Sequence, residues 1–205
     1  MEKELLDILK KVNTLYQKYG IKSITMDDVA KKLGISKKTL YQYVKDKADL
    51  VEKVIMLEIK DKQKISKEFI NNKKINVIEK AIQVHKFIDE YLKNVNFSIE
   101  YDLRKYYPDL YKKIQEMRRK NMYESMLRNM KKGKKEGLYR KDLNVELIAK
   151  LQIFRAENLL DNGMFSKKDF TIETFNELLT YHIRGIASNK GIKYFEKFFN
   201  KNMSK

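Results

Sequence analysis

A chain of 205 residues is long enough to bury a sizeable core, as one domain of ordinary size or as a small domain fused to a larger one. Hydrophobic residues make up 42% and charged residues 36%, a mixture suited to amphipathic helices, and one proline with seven glycines leaves few turns for an all-β protein. The lack of cysteine excludes disulfides, thiolate catalysis and Cys-based zinc sites. A formal net charge of +17 invites a nucleic-acid partner without deciding on one, because most of the basic residues are Lys and such a bias also follows from an AT-rich coding sequence.

In chain order, the first helix is predicted from about Glu2 to Tyr19, with Leu5, Leu9, Val12, Tyr16 and Tyr19 as its apolar stripe and Gly20 at the left-handed cap. A short second helix follows Thr25, a candidate N-cap with Asp28 three positions on, and stops at Gly34. Ser36 opens a third helix, KKTLYQYV, and Asp46 caps a long fourth in which Leu50, Val51, Val54, Ile55 and Leu57 are periodic. Asn71–Lys74 reads as a loop. Further helices are expected at about Asn76–Asn94, Ser98–Lys105, Pro108–Glu136, Asn144–Asp161 and Lys168–Ser188, about nine in all. Pro108 fits a first helical turn, where its missing N–H costs nothing. The fold class is all-α.

The stretch that carries chemistry is Thr25–Lys47, TMDDVAKKLGISKKTLYQYVKDK. Two short helices joined by a tight glycine-containing turn are what a helix-turn-helix requires, with the second helix entering the major groove. Leu33, Ile35 and Leu40 would clamp the pair together. Ser36, Thr39, Tyr41 and Tyr43 carry hydroxyls suited to phosphates, while Lys37, Lys38 and Lys47 add charge. Lys can also donate to guanine, and the Gln42 amide matches adenine.

The run G-I-S-K-K-T-L-Y-x-Y-V-x-D-K-x-x-L, with T-x-x-D-V-A-K-K-L-G before it, closely resembles the recognition segment of the tetracycline-repressor (TetR) family of bacterial regulators. The likeness is specific over about residues 5–57. It implies phosphate-binding roles for Thr25, Ser36, Tyr41 and Lys47 and base-facing roles for Lys37, Lys38, Thr39 and Gln42. This chain departs from the family at Lys38, where a small residue is common, and at Tyr43-Val44, where His-Phe is common.

The resemblance also implies an organisation: residues 1–47 as the three-helix DNA-binding domain, joined by a long helix to residues 48–205, which dimerise and enclose a pocket for an unknown small-molecule effector. The protein would then be a homodimeric repressor on a palindromic double-stranded DNA operator, released by that effector. Candidate interface residues are Leu147 and Leu151 in the eighth helix and Ile172, Phe175, Leu179, His182, Ile183 and Ile186 in the ninth, enough for an intersubunit four-helix bundle. The same stripes also suit an intramolecular core. Candidate pocket residues are His85, Tyr101, Tyr123, Phe154 and Asn158, polar or aromatic at otherwise inward-looking positions. The basic run from Arg128 to Lys141 reads as a solvated helix end.

Two histidines far apart in sequence, with no glycine-rich phosphate loop and no HExxH, assemble no catalytic constellation, so neither an enzyme nor a cofactor is expected. No stretch reaches the roughly 18 apolar residues of a membrane span, and the N-terminus lacks a secretory apolar region, so a cytoplasmic protein is expected. The rival class is a Lys-rich helical protein that binds RNA or an anionic surface without sequence preference.

Overall fold

A computed structural model describes residues 2–71, 75–94, 97–158, 169 and 171–203. The regular elements among them are ten helices: α1 (Glu2–Tyr19), α2 (Met26–Leu33), α3 (Lys37–Leu40), α4 (Lys47–Asn71), α5 (Val77–Asn94), α6 (Phe97–Tyr106), α7 (Pro108–Lys135), α8 (Val145–Asn158), α9 (Ile172–Ile186) and α10 (Asn189–Met203). Among the described residues, none of these helices is long and apolar enough to cross a membrane. The predicted loop 71–74 lies outside the described residues apart from Asn71, which closes α4.

The chain forms two compact units. Met1–Ile70 and Val95–Gln115 make the first, so α6 and the opening turns of α7 pack with α1–α4. Its core is built from Val12 and Tyr16 of α1, Val29 of α2, Leu40 of α3 and Leu50, Val51 and Val54 of α4, with Ile99 and Leu103 of α6 and Ile114 of α7. On α1 the buried set is Ile8, Leu9, Val12, Leu15 and Tyr16. Tyr19, predicted inside, is half exposed.

Asn71–Asn94 and Glu116–Lys205 make the second unit. Val77, Ile78 and Ile82 of α5, Met130 of α7, Leu179, Ile183 and Ile186 of α9 and Phe195 of α10 share its core with Leu138 and Tyr139 from the turn after α7. That turn is tied to the end of α9 by an antiparallel bridge between Tyr139 and Ala187, and the Arg140 and Ser188 amides donate to the Ile186 and Leu138 carbonyls. Gly133 lets this happen: a Cβ there would sit 2.0 Å from the Tyr139 ring.

The caps read from the sequence are in place: Thr25, Ser36, Asp46 and Asn144 each accept a backbone N–H in the following turn, and the structure adds Asn76, which does the same for α5. Three expectations change. α3 is four residues long, because after Leu40 the chain tightens into i→i+3 bonds from Gln42 to Thr39 and from Tyr43 to Leu40, which carry Val44 into the core. α9 starts only at Ile172, capped by Thr171, and ends at Ile186, where Ala187 turns extended to form the bridge. A tenth helix then follows, opened by Ser188, whose Oγ accepts the Gly191 N–H and donates to the Gly137 carbonyl.

Candidate nucleic-acid interface

The site begins with how α2 and α3 are held. The Thr25 hydroxyl accepts the Asp28 N–H at 3.1 Å while Asp28 takes the Thr25 N–H at 2.9 Å and its hydroxyl at 2.6 Å, a complete capping box. These bonds, led by that from the hydroxyl, hold the Asp28 carboxyl below its ordinary range. At the other end Gly34 adopts φ +68°, and its N–H and that of Ile35 close on the Lys31 and Ala30 carbonyls in a Schellman turn. A side chain at Gly34 would be strained in that conformation even though nothing crowds it. Ser36 restarts the helix at once, its Oγ accepting the Thr39 N–H at 3.0 Å and lying 2.8 Å from the Thr39 hydroxyl.

The result is a short helix with one polar, outward side. Ser36, Lys37, Lys38, Tyr41 and Gln42 are exposed and Thr39 is half-buried, while Leu40 is fully buried beneath them. Lys37 is held by Asp27 of α2 at 3.0 Å, and that bond keeps its ammonium above the usual range. Tyr43 is half-buried, and its hydroxyl donates to Glu4 of α1 at 3.2 Å, which gives this residue an intramolecular partner on the first helix.

Lys47 opens α4 and reaches back to the α1–α2 turn, where its Nζ donates to the Lys22 carbonyl at 3.3 Å. Burial, followed by the Lys22 charge, pulls its ammonium below the ordinary range, against the attraction of Asp102 and Asp28. Asp102 gave no sequence signal, being 81 residues from its first partner. Its buried Oδ2 accepts the Ile21 N–H at 2.9 Å and the Lys22 N–H at 2.8 Å, which fastens the turn before α2 to α6. Gly20, at φ +79°, leaves room for it: a Cβ would lie 3.3 Å from that carboxylate oxygen.

The five pocket candidates differ in burial and in partner. His85 is buried, with its Nε2 3.1 Å from Asn176 Oδ1 and its ring edge-on to Phe175. Tyr123 is half-buried on α7, Phe154 is two-thirds exposed on α8, and the Asn158 amide donates to the Phe154 carbonyl one turn back. Tyr101 lies in the first unit, half exposed, its hydroxyl taken by Lys105 at 3.0 Å. A cleft of about 280 Å³ lies between α1 and α4, lined by Lys10, Asn13, Val54, Leu57, Glu58, Asp61 and Lys62 and by none of the five.

The interface candidates divide by helix. Phe175, Leu179, Ile183 and Ile186 of α9 are buried within the second unit, so most of that stripe is spent on the chain's own core. Leu147 and Leu151 of α8 are half exposed, and Ile172 sits at the exposed edge of α9.

His182 is half-buried against α8, with Nδ1 2.6 Å from the Gln152 amide nitrogen. Burial, with Arg155 adding to it, lowers its imidazole from 6.5 to about 4. Between those values the unfolded chain binds a proton that the folded chain refuses, so stability is lost as pH falls from 6.5 towards 4. The window is worth about 3 kcal/mol. Urea unfolding at pH 7 and pH 4.5 should show His182→Gln losing less stability than the wild type, and equal losses would refute the assignment.

Two capped helices around a left-handed glycine, with a polar outer side over a fully buried leucine, define a helix-turn-helix DNA-binding domain. Residues 8–54 match the model of bacterial regulatory proteins of the tetR family. Over these residues the chain is similar to the N-terminal domain of that family. It is 36% identical over 87 residues to the uncharacterized HTH-type transcriptional regulator YvaF of Bacillus subtilis, an alignment that spans 42% of this chain and 46% of that one. The whole fold is similar to a transcriptional regulator from Cytophaga hutchinsonii, at 18% identity and a TM-score of 0.70 over 90% of this chain and 99% of that one. It is also similar to Escherichia coli NemR in its reduced form, at 12% identity and 0.67 over 90% and 97%. A regulator from Saccharomonospora viridis in complex with choline aligns at 16% and 0.62 over 92% and 100%.

Proposed function

We propose that this protein is a homodimeric, sequence-specific regulator of transcription, acting as a repressor that a small-molecule effector releases from a palindromic operator. The observation that carries the reading is the Thr25–Lys47 unit, whose caps and turn hold Lys37, Lys38 and Gln42 exposed and Thr39 half-buried on α3 and the turn that follows it. Thr25, Ser36, Tyr41 and Lys47 would take phosphates, and Lys37, Lys38, Thr39 and Gln42 would read bases. Residues 1–47 supply the DNA contacts, and residues 48–205 hold the pairing surface and the effector site. The choline bound to the Saccharomonospora viridis regulator is an example of a small molecule on this fold.

The test is selection of duplexes from a random pool, followed by binding measurements on the winners. An inverted repeat with half-sites about one helical turn apart, or a multiple of it, is the expected yield. Lys37→Ala and Gln42→Ala should each relax discrimination at one base position by about 1–3 kcal/mol, and Lys47→Ala should weaken all duplexes evenly. Enrichment of no sequence would favour the rival reading, a Lys-rich surface that binds polyanions at large.

Pairing is assigned to α8. Leu147, Leu151 and Phe154, at spacings of four and three, are exposed by 51%, 51% and 66%, and Tyr181 of α9 is exposed by 78%. A helix face of that kind is self-complementary under a two-fold axis. Leu151→Asp should convert the dimer to a folded monomer by sedimentation velocity with an unchanged helical circular dichroism spectrum. A variant that stays dimeric would refute this face.

A further inference from the structure

We propose that α6 extends the DNA-binding surface beyond the helix-turn-helix, with Lys22, Lys105, Tyr101 and Tyr106 engaging the phosphate backbone that flanks each half-site. The proposal rests on the DNA-binding reading above and adds a second contact region to it.

The four side chains form a continuous path within one compact unit. Lys22 lies three residues before Thr25, and its carbonyl holds the Lys47 ammonium, so it adjoins the phosphate-facing edge of the helix-turn-helix. Its own ammonium sits 4.5 Å from the centre of the Tyr106 ring. Lys105 lies 5.3 Å from the same ring and donates to the Tyr101 hydroxyl at 3.0 Å. Both lysines are exposed, as are Tyr101 and Tyr106.

Neither lysine has a carboxylate partner among the described residues. Asp102, the α6 carboxylate beside this turn, is spent on the Ile21 and Lys22 amides. Stacking on exposed tyrosines orients the ammonium groups without neutralising them. An uncompensated pair of cations, kept extended by aromatic rings and flanked by phenol hydroxyls, suits a polyanion with regularly spaced oxygens, and Lys and Tyr both bond phosphates. A duplex offers one backbone charge per roughly 1.7 Å of axis, so a surface that outruns the recognition helix meets further phosphates. These contacts carry no base information and act on affinity alone.

The full-length protein should be titrated on its selected duplex in two forms, one ending at the half-sites and one carrying about 10 bp more on each side, a further helical turn. Lys22→Gln/Lys105→Gln should bind the longer duplex roughly tenfold more weakly and lower the log–log salt slope by about 0.9 for each phosphate released. On the short duplex it should match the wild type. Lys131→Gln/Lys141→Gln, with the same charge change in the second unit, should show no flank dependence. Equal loss on both duplexes, no loss on either, or the same flank dependence in the second pair would overturn the α6 contact. Failure of the wild type to select any duplex would instead overturn the DNA-binding reading beneath it.

Discussion

Asp102→Ala should lower the unfolding free energy by about 3 kcal/mol, because it strips the acceptor from two backbone amides, one of them in the core. The Ile21 amide is buried and cannot recover a water, and a donor left in that state costs about 1–3 kcal/mol by itself. The loss should extend to DNA. The carboxylate holds the turn whose Lys22 carbonyl positions Lys47, so the freed turn should weaken duplex binding through a contact on α6 that never meets the duplex. Asp102→Asn separates the two effects: its amide oxygen still accepts, so most of the stability should return. Urea midpoints and duplex affinities of both variants check this, and Asp102→Ala with an unchanged midpoint would show that the two amides find another acceptor.

Gly133→Ala should be a severely damaging methyl addition in the second unit. Its Cβ would meet three Tyr139 ring atoms at 2.0, 2.4 and 2.6 Å, and that ring is 1% exposed with its hydroxyl bonded to Asn129. The ring cannot rotate aside without breaking that bond, and the backbone cannot retreat because the Leu138 and Tyr139 amides both donate to the Gly133 carbonyl. Overpacking of this kind costs about 3 kcal/mol, at the upper end of its usual range. Tyr139→Leu in the same background should recover part of the loss, since a smaller side chain makes room. A double-mutant cycle by urea unfolding measures the recovery, and strict additivity would mean that the methyl group and the ring never meet.

What the sequence made legible was local. Thr25, Ser36, Asp46 and Gly34 act on chain neighbours within five residues, so their roles are written in their own spacing. The fold class followed from the same short-range periodicity. What stayed hidden was which surface each stripe would find. Phe175, Leu179, Ile183 and Ile186 have the spacing of an interface and of a core alike, and only the arrival of α5 and α10 makes them core. Asp102 is one more acid in an amphipathic helix until Ile21 and Lys22 come against it. Tyr43 has the look of a phosphate ligand, and its bond to Glu4 crosses 39 positions. α10 was not among the predicted helices, and its Gly191 lies close against the Leu138 carbonyl, a contact 53 positions away where no larger residue would fit.

The Asp27–Lys37 pair bears on how such a protein would search a chromosome. In the proposed role Lys37 would meet DNA already engaged, at 3.0 Å, by a carboxylate of its own chain. Exchanging that carboxylate for a phosphate or a guanine costs the same whatever sequence lies beneath, so it shortens every stop equally. Random sites vastly outnumber operators, so most stops are wrong ones, and quicker departure from them frees the protein for the next. Asp27 would thus trade grip for turnover, leaving the outward side chains of α3 to hold the protein where the bases match.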